Sequence, residues 1–226
     1  MNERLRRSSA HVFVDDIDTP DISPDDMHHL SRVLRLRDGE TVTVSNGRGA
    51  WRECTWRAGA LLPAGDVFTE AEPSPRLAVA IVPVKGDRTD DAVERLVEVG
   101  IDEVIVLAPT DHSVVRRDER RGSAGVERLA RVARAAAMQS RRVWLPVVTG
   151  PAGLDEVLAR DGAALAEPGG DRSLEGITTL VIGPEGGFSA AETARARRAV
   201  GLGGTVLRAG TAAVAGAVLM VAHRGR

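Results

Sequence analysis

A glycine-rich turn follows an apolar segment late in the chain, and it is the stretch best suited to bind a small ligand. Residues 180–183 read as a buried strand, and the sequence GPEGG, residues 183–187, follows it. Ser189 and Glu192 then have the spacing of a capping box, which predicts the start of a helix. Glycine in such a turn lets the backbone approach a ligand closely, and ligands of open α/β sheets lie outside the carboxyl ends of the strands. The same residues also fit a tight connection without a ligand, and both interpretations stay open.

A second turn of small residues lies at 204–213, with the sequence GTVLRAGTAA. It leads from a β-type segment into an apolar helix, so the two turns could form the walls of one slot for an adenine ring. Taken alone, the segment also fits ordinary packing. The chain has no G-x-G-x-x-G after the first strand of its α/β pattern and no P-loop, which argues against a dinucleotide or nucleoside triphosphate site.

Arginines dominate residues 112–142, where nine of them stand against three acids. Those on one side of a predicted helix and at its end are Arg128, Arg131, Arg134, Arg141 and Arg142. A solvated charged face is the simpler interpretation. A basic stripe with few acids is also typical of phosphate contacts, which makes an RNA surface the alternative. A predicted N-terminal helix could add a second contact through His28, His29, Arg32 and Arg35.

The elements that must position these residues fall into two parts. Residues 1–73 contain short β-type runs between turn signals and one helix near 27–34, which predicts a small β-barrel; residues 62–75 read as a linker. In residues 74–226, β-type runs alternate with helical periods, which predicts a mostly parallel sheet covered on both faces. The predicted strands are 77–84, 104–108, 143–148, 163–166, 180–183 and 205–207. The predicted helices are 90–99, 123–140, 154–160, 190–200 and 211–223.

Composition indicates an ordinary globular protein of 226 residues, with 43% hydrophobic and 27% charged side chains and a net charge of −2. No apolar run reaches the roughly 18 residues of a membrane span, and the N-terminal residues lack a secretory signal pattern. Cys54 is the one cysteine, which excludes an internal disulfide, and no Cys or His cluster has the spacing of a zinc site. We therefore expect a cytoplasmic protein without a membrane segment or a bound metal.

Several of these segments together resemble a known family. GPEGGFSAAE and LRAGTAAVA are similar to the bacterial RsmE-type methyltransferases of small-subunit ribosomal RNA, members of the SPOUT superfamily that methylate a uridine at N3. KGDRTDDAVERLVEVGIDEVIVL, AAAMQSRRVWLP and HHLSRVLRLRDGETVTVSNGRG are also similar and stand in the family's order. The resemblance implies an α/β domain with a deep trefoil knot at 74–226, a PUA-like β-barrel at 1–73, and a homodimer that uses S-adenosylmethionine to methylate 16S ribosomal RNA.

The resemblance also assigns roles to residues by position. The implied cofactor contacts are Leu165, Ala166, Glu167, Gly183, Pro184, Gly186, Gly187, Val206, Leu207 and Thr211. The implied RNA contacts are Arg88, Gln139 and Arg142 from family motifs, with Arg131, Arg134, Arg32 and Arg35 from the basic helices. Removal of the uracil N3 proton needs a base or a cation that stabilises the anion, and Glu185 and Arg208 are the candidate catalytic residues. The chemistry requires no metal.

The chain departs from the family at Gly210, where relatives carry a glutamate beside the implied cofactor slot. Met138, Arg95 and His112 also replace a common Glu, Lys and Arg of the family. The missing carboxylate predicts weakened catalysis, and the alternative it leaves open is an RNA-binding module that has lost catalysis. A second alternative is a SPOUT methyltransferase with another RNA acceptor, such as a transfer RNA or a ribose hydroxyl, because the sequence does not identify the target nucleotide.

Overall fold

Two units make up the chain in the computed structural model, which describes residues 2–84, 88–113 and 119–224. The first, which we call the N-terminal unit, comprises Met1–Glu72 together with Ala137–Leu145. The second, the C-terminal unit, comprises Pro73–Ala136 and Pro146–Arg226. The short piece Ala137–Leu145 thus packs with residues that are distant in sequence, a relationship that local periodicity does not reveal.

A four-stranded mixed sheet forms the centre of the N-terminal unit. Its strands, in their order across the sheet, are β1 Ala10–Phe13, β2 Thr41–Ser45, β3 Ala50–Arg57 and β4 Ala60–Thr69. β1 and β2 are parallel, whereas β2 with β3 and β3 with β4 form antiparallel pairs. The helical elements are α1 Glu3–Arg7, α2 Pro24–His28 and a π-helical turn, His29–Val33. The short β-type runs and the helix predicted near 27–34 are present, and the strands that were predicted to form a small barrel form this four-stranded mixed sheet.

Strand β4 shows that the linker predicted over 62–75 is wrong for residues 62–69. β4 pairs with β3 along its length, and the pairing register shifts between Arg52 and Glu53. It lies at the edge of the sheet, where proline is tolerated because one side of the strand needs no ladder hydrogen bonds. An edge strand that contains Pro63 and exposed residues therefore has the composition of a linker.

Aromatic and apolar side chains fill the interior of the N-terminal unit. Trp51 is fully buried and stacks on Phe68 with the ring centroids 4.7 Å apart, and Leu5 and Val143 complete this cluster. Cys54 is buried nearby on β3 and has no disulfide partner. Burial raises the pKa of its thiol to about 11, so the thiol stays protonated at neutral pH and is a poor nucleophile.

His11 on β1 connects the sheet to the piece Ala137–Leu145. Its ring is 1% exposed; Nε2 lies 3.0 Å from the Arg142 carbonyl oxygen and Nδ1 lies 2.9 Å from Thr43 Oγ1. Because a carbonyl only accepts, Nε2 carries the proton and Nδ1 accepts from the Thr43 hydroxyl. Burial, with a smaller contribution from the charge of Arg141, lowers the pKa of His11 to about 4. His11 is therefore a neutral, structural histidine.

Six parallel strands form the sheet of the C-terminal unit, in the order β10-β8-β9-β5-β6-β7. The strands are β5 Ala78–Ile81, β6 Glu103–Leu107, β7 Val147–Ala152, β8 Ala163–Asp171, β9 Thr179–Ile182 and β10 Ala199–Val200. The central strands β5 and β9 are buried at every position, as their continuous apolar runs predict. The predicted parallel sheet is confirmed.

Helices follow most of these strands. They are α3 Arg88–Val99, α4 Glu119–Gln139, α5 Leu154–Leu158, α6 Ala190–Thr193 and α7 Ala209–His223. α7 packs against α3 and against strands β5 and β9, and its buried positions are small residues and Met220. In the part of the chain that the structure describes, no helix is both long and apolar enough to cross a membrane.

Several predicted elements of the C-terminal unit differ from the structure: the strand predicted at 77–84 ends at Ile81, and the strand predicted at 163–166 continues to Asp171. Residues 205–207, predicted as a strand, form none, and Val206 is 83% exposed, so its β-branched side chain has no core to pack in. The helix predicted over 190–200 ends at Thr193, because the chain turns to place Val200, fully buried, in strand β10. The strand predicted at 143–148 begins only at Val147, since residues 143–145 belong to the N-terminal unit.

Candidate active site

A cavity of about 320 Å³ opens at the carboxyl end of β9 in the C-terminal unit. Its walls come from three segments: β8, the turn after β9, and the connection from β10 to α7. The lining residues are Ala166, Glu167, Pro168, Ile182, Gly183, Pro184, Glu185, Gly186, Gly187, Phe188, Leu202, Gly203, Thr205, Val206, Leu207, Ala209 and Ala212. The two small-residue turns singled out in the sequence therefore do border one space, which we call the first cavity.

The glycines of the turn after β9 have reasons in the fold itself. A Cβ on Gly183 would lie 2.9 Å from the ring of Phe188, so the packing of that ring requires glycine there. Gly187 has a φ of +71°, in the left-handed region that other residues rarely adopt. Gly187→Val would consequently strain the backbone whether or not a ligand binds, and it is a poor test of ligand contact. Neither glycine alone indicates a cofactor.

A second cavity, of about 170 Å³, adjoins the first and shares Ile182, Gly183, Glu185 and Ala209 with it. It also lies beyond the carboxyl end of β5, and α3 supplies much of its wall. Its polar lining consists of Arg88, Thr89, Asp91, Arg95, Glu185, Arg208 and Thr211. Guanidinium and carboxylate groups thus stand next to a cavity whose walls are mostly small and apolar.

Both candidate catalytic residues border the second cavity. Glu185, in the turn after β9, accepts a hydrogen bond from Arg88, the first residue of α3, and the two residues form an ion pair. Arg208 is the N-cap residue of α7, with an extended backbone and an exposed side chain. Among the residues that the structure describes, its guanidinium has no hydrogen-bond or ion-pair partner. Arg208 is therefore available to a ligand, whereas Glu185 is already paired.

The structure brings most of the predicted cofactor contacts together around the first cavity. The eight that line it are Ala166, Glu167, Gly183, Pro184, Gly186, Gly187, Val206 and Leu207. Leu165 does not line it, because its side chain is fully buried in the core with Ala78 and Val181. Thr211 lines the second cavity instead. Sequence reasoning missed Phe188, Leu202, Gly203 and Ala212, whose apolar or small side chains carry no chemical signal of their own.

The predicted RNA contacts do not form one continuous stripe within either unit. Arg131 and Arg134 lie on α4 in the C-terminal unit, and Arg88 lies at the second cavity. The other four, Gln139, Arg142, Arg32 and Arg35, belong to the N-terminal unit. Two further arginines of the stripe have structural partners, since Arg128 pairs with Asp90 and Arg141 donates to the carbonyl oxygen of Ser8.

Family models match both parts of the chain. An RNA methyltransferase domain matches residues 71–221, and an RNA methyltransferase PUA domain matches residues 22–55. A ribosomal RNA small subunit methyltransferase E of Mycobacterium bovis is 32% identical over 217 residues, which cover 85% of this chain and 82% of the relative. The enzyme of the same name from Bacillus subtilis is 24% identical and covers 88% of both chains. The chain belongs to the ribosomal RNA small subunit methyltransferase E family.

Solved structures agree with this family in fold. A methyltransferase of Legionella pneumophila with bound S-adenosylmethionine has a TM-score of 0.80 at 22% identity, covering 96% of this chain and 98% of the other. The small subunit methyltransferase E of Neisseria gonorrhoeae, also bound to S-adenosylmethionine, has a TM-score of 0.75 at 22% identity, covering 93% and 96%. The predicted fold class, a SPOUT-type α/β methyltransferase domain preceded by a PUA-like domain, is confirmed for this member of the methyltransferase E family.

Proposed function

We propose that the protein transfers a methyl group from S-adenosylmethionine to N3 of a uridine in 16S ribosomal RNA. Membership of the methyltransferase E family gives the reaction class. The observation that carries the proposal is the pair of adjoining cavities at the carboxyl edge of the parallel sheet. A group transfer between two substrates requires two such spaces side by side, with the reacting atoms near their shared wall.

The first cavity fits the cofactor. Its volume of about 320 Å³ lies within the range of about 300–1,000 Å³ typical of ligand sites. Ile182, Phe188 and Leu207 offer apolar surface for an adenine ring, and the backbone of the glycine-rich turn offers hydrogen-bonding groups. The Glu167 carboxylate suits a hydroxyl or an amino group. When bound, S-adenosylmethionine supplies a methyl group already activated by its sulfonium.

The second cavity fits the acceptor base. A uracil ring presents the oxygens O2 and O4 on either side of N3, and these oxygens gain negative charge as the N3 proton leaves. Arg208 lines this cavity and has no partner among the described residues, so in the proposal its guanidinium donates to one of these oxygens and stabilises the anion. Glu185 stands at the wall shared with the first cavity, where a carboxylate could accept the proton. Arg88 holds that carboxylate in place.

Contacts with the rest of the RNA remain part of the proposal. Arg131 on α4 is exposed, and Arg32 and Arg35 are exposed in the N-terminal unit, so their guanidinium groups can reach phosphates. Because the RNA is assembled into ribosomes in the cytoplasm, we assign the protein to that compartment.

A homodimer is also proposed. α7 is apolar on all sides, yet one of its faces is open, and Val218 on it is 49% exposed. Its N-terminal residues border both cavities. A second copy of the chain that covers this face would bury the apolar surface beside the site.

Two neighbouring glycines give a matched test of the first cavity. Gly203 lines it and Gly204 does not, and at both positions a Cβ would have no atom within 4 Å. Gly203→Leu is expected to weaken S-adenosylmethionine binding at least tenfold in isothermal titration, because the side chain occupies cofactor space. Gly204→Leu is expected to bind like the wild type. Equal affinity in both variants would show that the cofactor does not bind there.

Methyl transfer to small ribosomal subunits that lack the modification tests the reaction itself. We expect the wild-type chain to form N3-methyluridine in the 16S RNA, identified by mass spectrometry of the nucleosides. Cofactor binding without transfer to these subunits would favour the RNA-binding module. Methylation of another RNA, or of a ribose hydroxyl, would favour a different acceptor.

A further inference from the structure

Glu192 is a carboxylate shared between two loops of the C-terminal unit. It is 2% exposed, and its two oxygens accept from two backbone N–H groups: Ser189 N at 2.8 Å and Asp111 N at 2.9 Å. The first bond belongs to the capping box of α6. The second reaches a residue 81 positions earlier, in the loop that follows β6. The helix cap requires only the bond to Ser189 N, so the bond to Asp111 N indicates that the Glu192 carboxylate has a second role.

Two more hydrogen bonds join the same loops. Ser189 Oγ donates to Asp111 Oδ2 at 2.6 Å, and His112 Nδ1–H donates to the Gly186 carbonyl oxygen at 3.1 Å. The backbones approach so closely that a Cβ on Gly186 would lie 3.0 Å from the Cβ of His112. Gly186 is therefore glycine because of His112, and the two loops are in direct contact.

The segment held in this way is the wall of the first cavity. Residues 183–188, which we call the cofactor loop, all line it. The loop is attached to Asp111 and His112 near its middle, at Gly186, and just after its end, at Ser189. Binding is stronger when such a wall is already ordered, because less conformational entropy is lost as the ligand binds.

We propose that Glu192, together with Asp111 and His112, positions the cofactor loop for S-adenosylmethionine. Glu192 is a positioning residue, since its carboxylate is buried behind the loop and is not among the residues that line either cavity. The inference rests on the proposed function for the identity of the ligand. The ordering of the cofactor loop by these residues is a property of the unliganded protein, and hydrogen exchange measures it without the cofactor.

Glu156 provides the matched control. Like Glu192 it is the third residue of a helix, α5, and its carboxylate accepts from the N-cap backbone, at 3.3 Å from Gly153 N. It is exposed and lines neither cavity. Glu156→Gln therefore removes a capping charge alone, whereas Glu192→Gln removes a capping charge and one of the two backbone contacts.

The experiment compares these two variants with the wild type. Hydrogen exchange of the unliganded proteins is expected to be faster over the cofactor loop in Glu192→Gln and unchanged there in Glu156→Gln. Isothermal titration is expected to show about tenfold weaker S-adenosylmethionine binding in Glu192→Gln only, as for one lost charge-assisted bond. In the transfer assay, KM for the cofactor should rise while kcat at saturation changes little.

His112→Ala is a second variant for the case that Glu192→Gln does not fold. It removes only the exposed bond to Gly186, and we expect about threefold weaker cofactor binding with faster exchange of the loop. Unchanged hydrogen exchange over the cofactor loop in the folded variants would show that Glu192 and His112 do not order the loop. Faster hydrogen exchange with unchanged S-adenosylmethionine affinity would show that they order the loop but do not position it for the cofactor. If the wild type binds no S-adenosylmethionine, the proposed function is refuted, and the hydrogen-exchange data still show whether Glu192 orders the loop.

Discussion

In the N-terminal unit the buried side chains of His11 and Ser45 bind other side chains or the backbone, whereas in the C-terminal unit the charged side chains around the second cavity face solvent. His11 has a partner on each ring nitrogen, and Ser45 Oγ donates to the Val143 carbonyl oxygen at 2.9 Å. Arg208, by contrast, has an exposed guanidinium at the edge of a cavity. The difference separates groups that specify the fold from groups that are free to act on a ligand.

The pKa of His11 illustrates how misleading a shifted value can be as a sign of function. Perturbed values often mark active sites, because catalysis requires them. Here the pKa of His11 falls to about 4 because the ring is buried, and the ring holds the backbone of Arg142. The chemistry is proposed instead for Glu185, in the turn after β9, and Arg208, at the start of α7, which were chosen by their positions in the chain.

Arg208→Ala is the change with the largest expected effect in the C-terminal unit. If the guanidinium stabilises the uracil anion, its loss should lower kcat for methyl transfer by about 10²–10³ and leave cofactor affinity nearly unchanged. Arg197→Ala is the control, since Arg197 is exposed and lines neither cavity. Similar kcat values for the two variants would remove Arg208 from the chemistry.

Protonation of His11 should destabilise the N-terminal unit in acid. Its folded pKa of about 4 lies below the unfolded value of 6.5, so the neutral ring stabilises the fold above pH 6.5 and this contribution is lost as the pH falls towards 4. The shift corresponds to roughly 3 kcal/mol. The free energy of unfolding, measured with urea, should therefore fall more between pH 7.5 and pH 4.5 in the wild type than in His11→Gln. An equal fall in the two proteins would mean that His11 is not buried as a neutral group.

Much of the fold and part of the site could be predicted from the sequence. The continuous apolar runs of β5 and β9 predicted the parallel sheet, and the two small-residue turns predicted a shared space that corresponds to the first cavity. Both signals are local, because each depends on residues next to one another in the chain. The resemblance to the methyltransferase E family supplied the reaction, which no local pattern could have provided.

The parts that could not be predicted depend on distant contacts. β4 reads as a linker because an edge strand tolerates Pro63, and residues 205–207 read as a strand although Val206 has no neighbours to bury it. Glu192 was predicted as a helix cap, and only the three-dimensional structure shows its second bond, to Asp111. Leu165 was assigned to the cofactor from its position in the chain, yet its side chain points into the core.

Gly210→Glu is expected to have a smaller effect than the changes at Arg208 and His11. It would add a negative charge at the wall of the second cavity. Gly210 is the second residue of α7, it is exposed, and a Cβ there would meet no atom within 4 Å, so glutamate fits without strain. It lines the second cavity together with Arg88 and Arg208. A carboxylate in the first turn of a helix is favourable, and a charge-assisted hydrogen bond to a neighbouring arginine or to the cofactor's amino group contributes about 1.5–3 kcal/mol.

We therefore expect the wild-type chain to be an active methyltransferase and Gly210→Glu to raise cofactor affinity or kcat by about tenfold. Gly210→Gln is the control, because it brings the same helix propensity and nearly the same shape without the charge. A gain in both variants would assign the effect to the helix, since glycine costs about 1 kcal/mol in a helix. A loss in Gly210→Glu alone would mean that the second cavity works with its arginines unpaired, and that Gly210 keeps Arg208 free for the substrate.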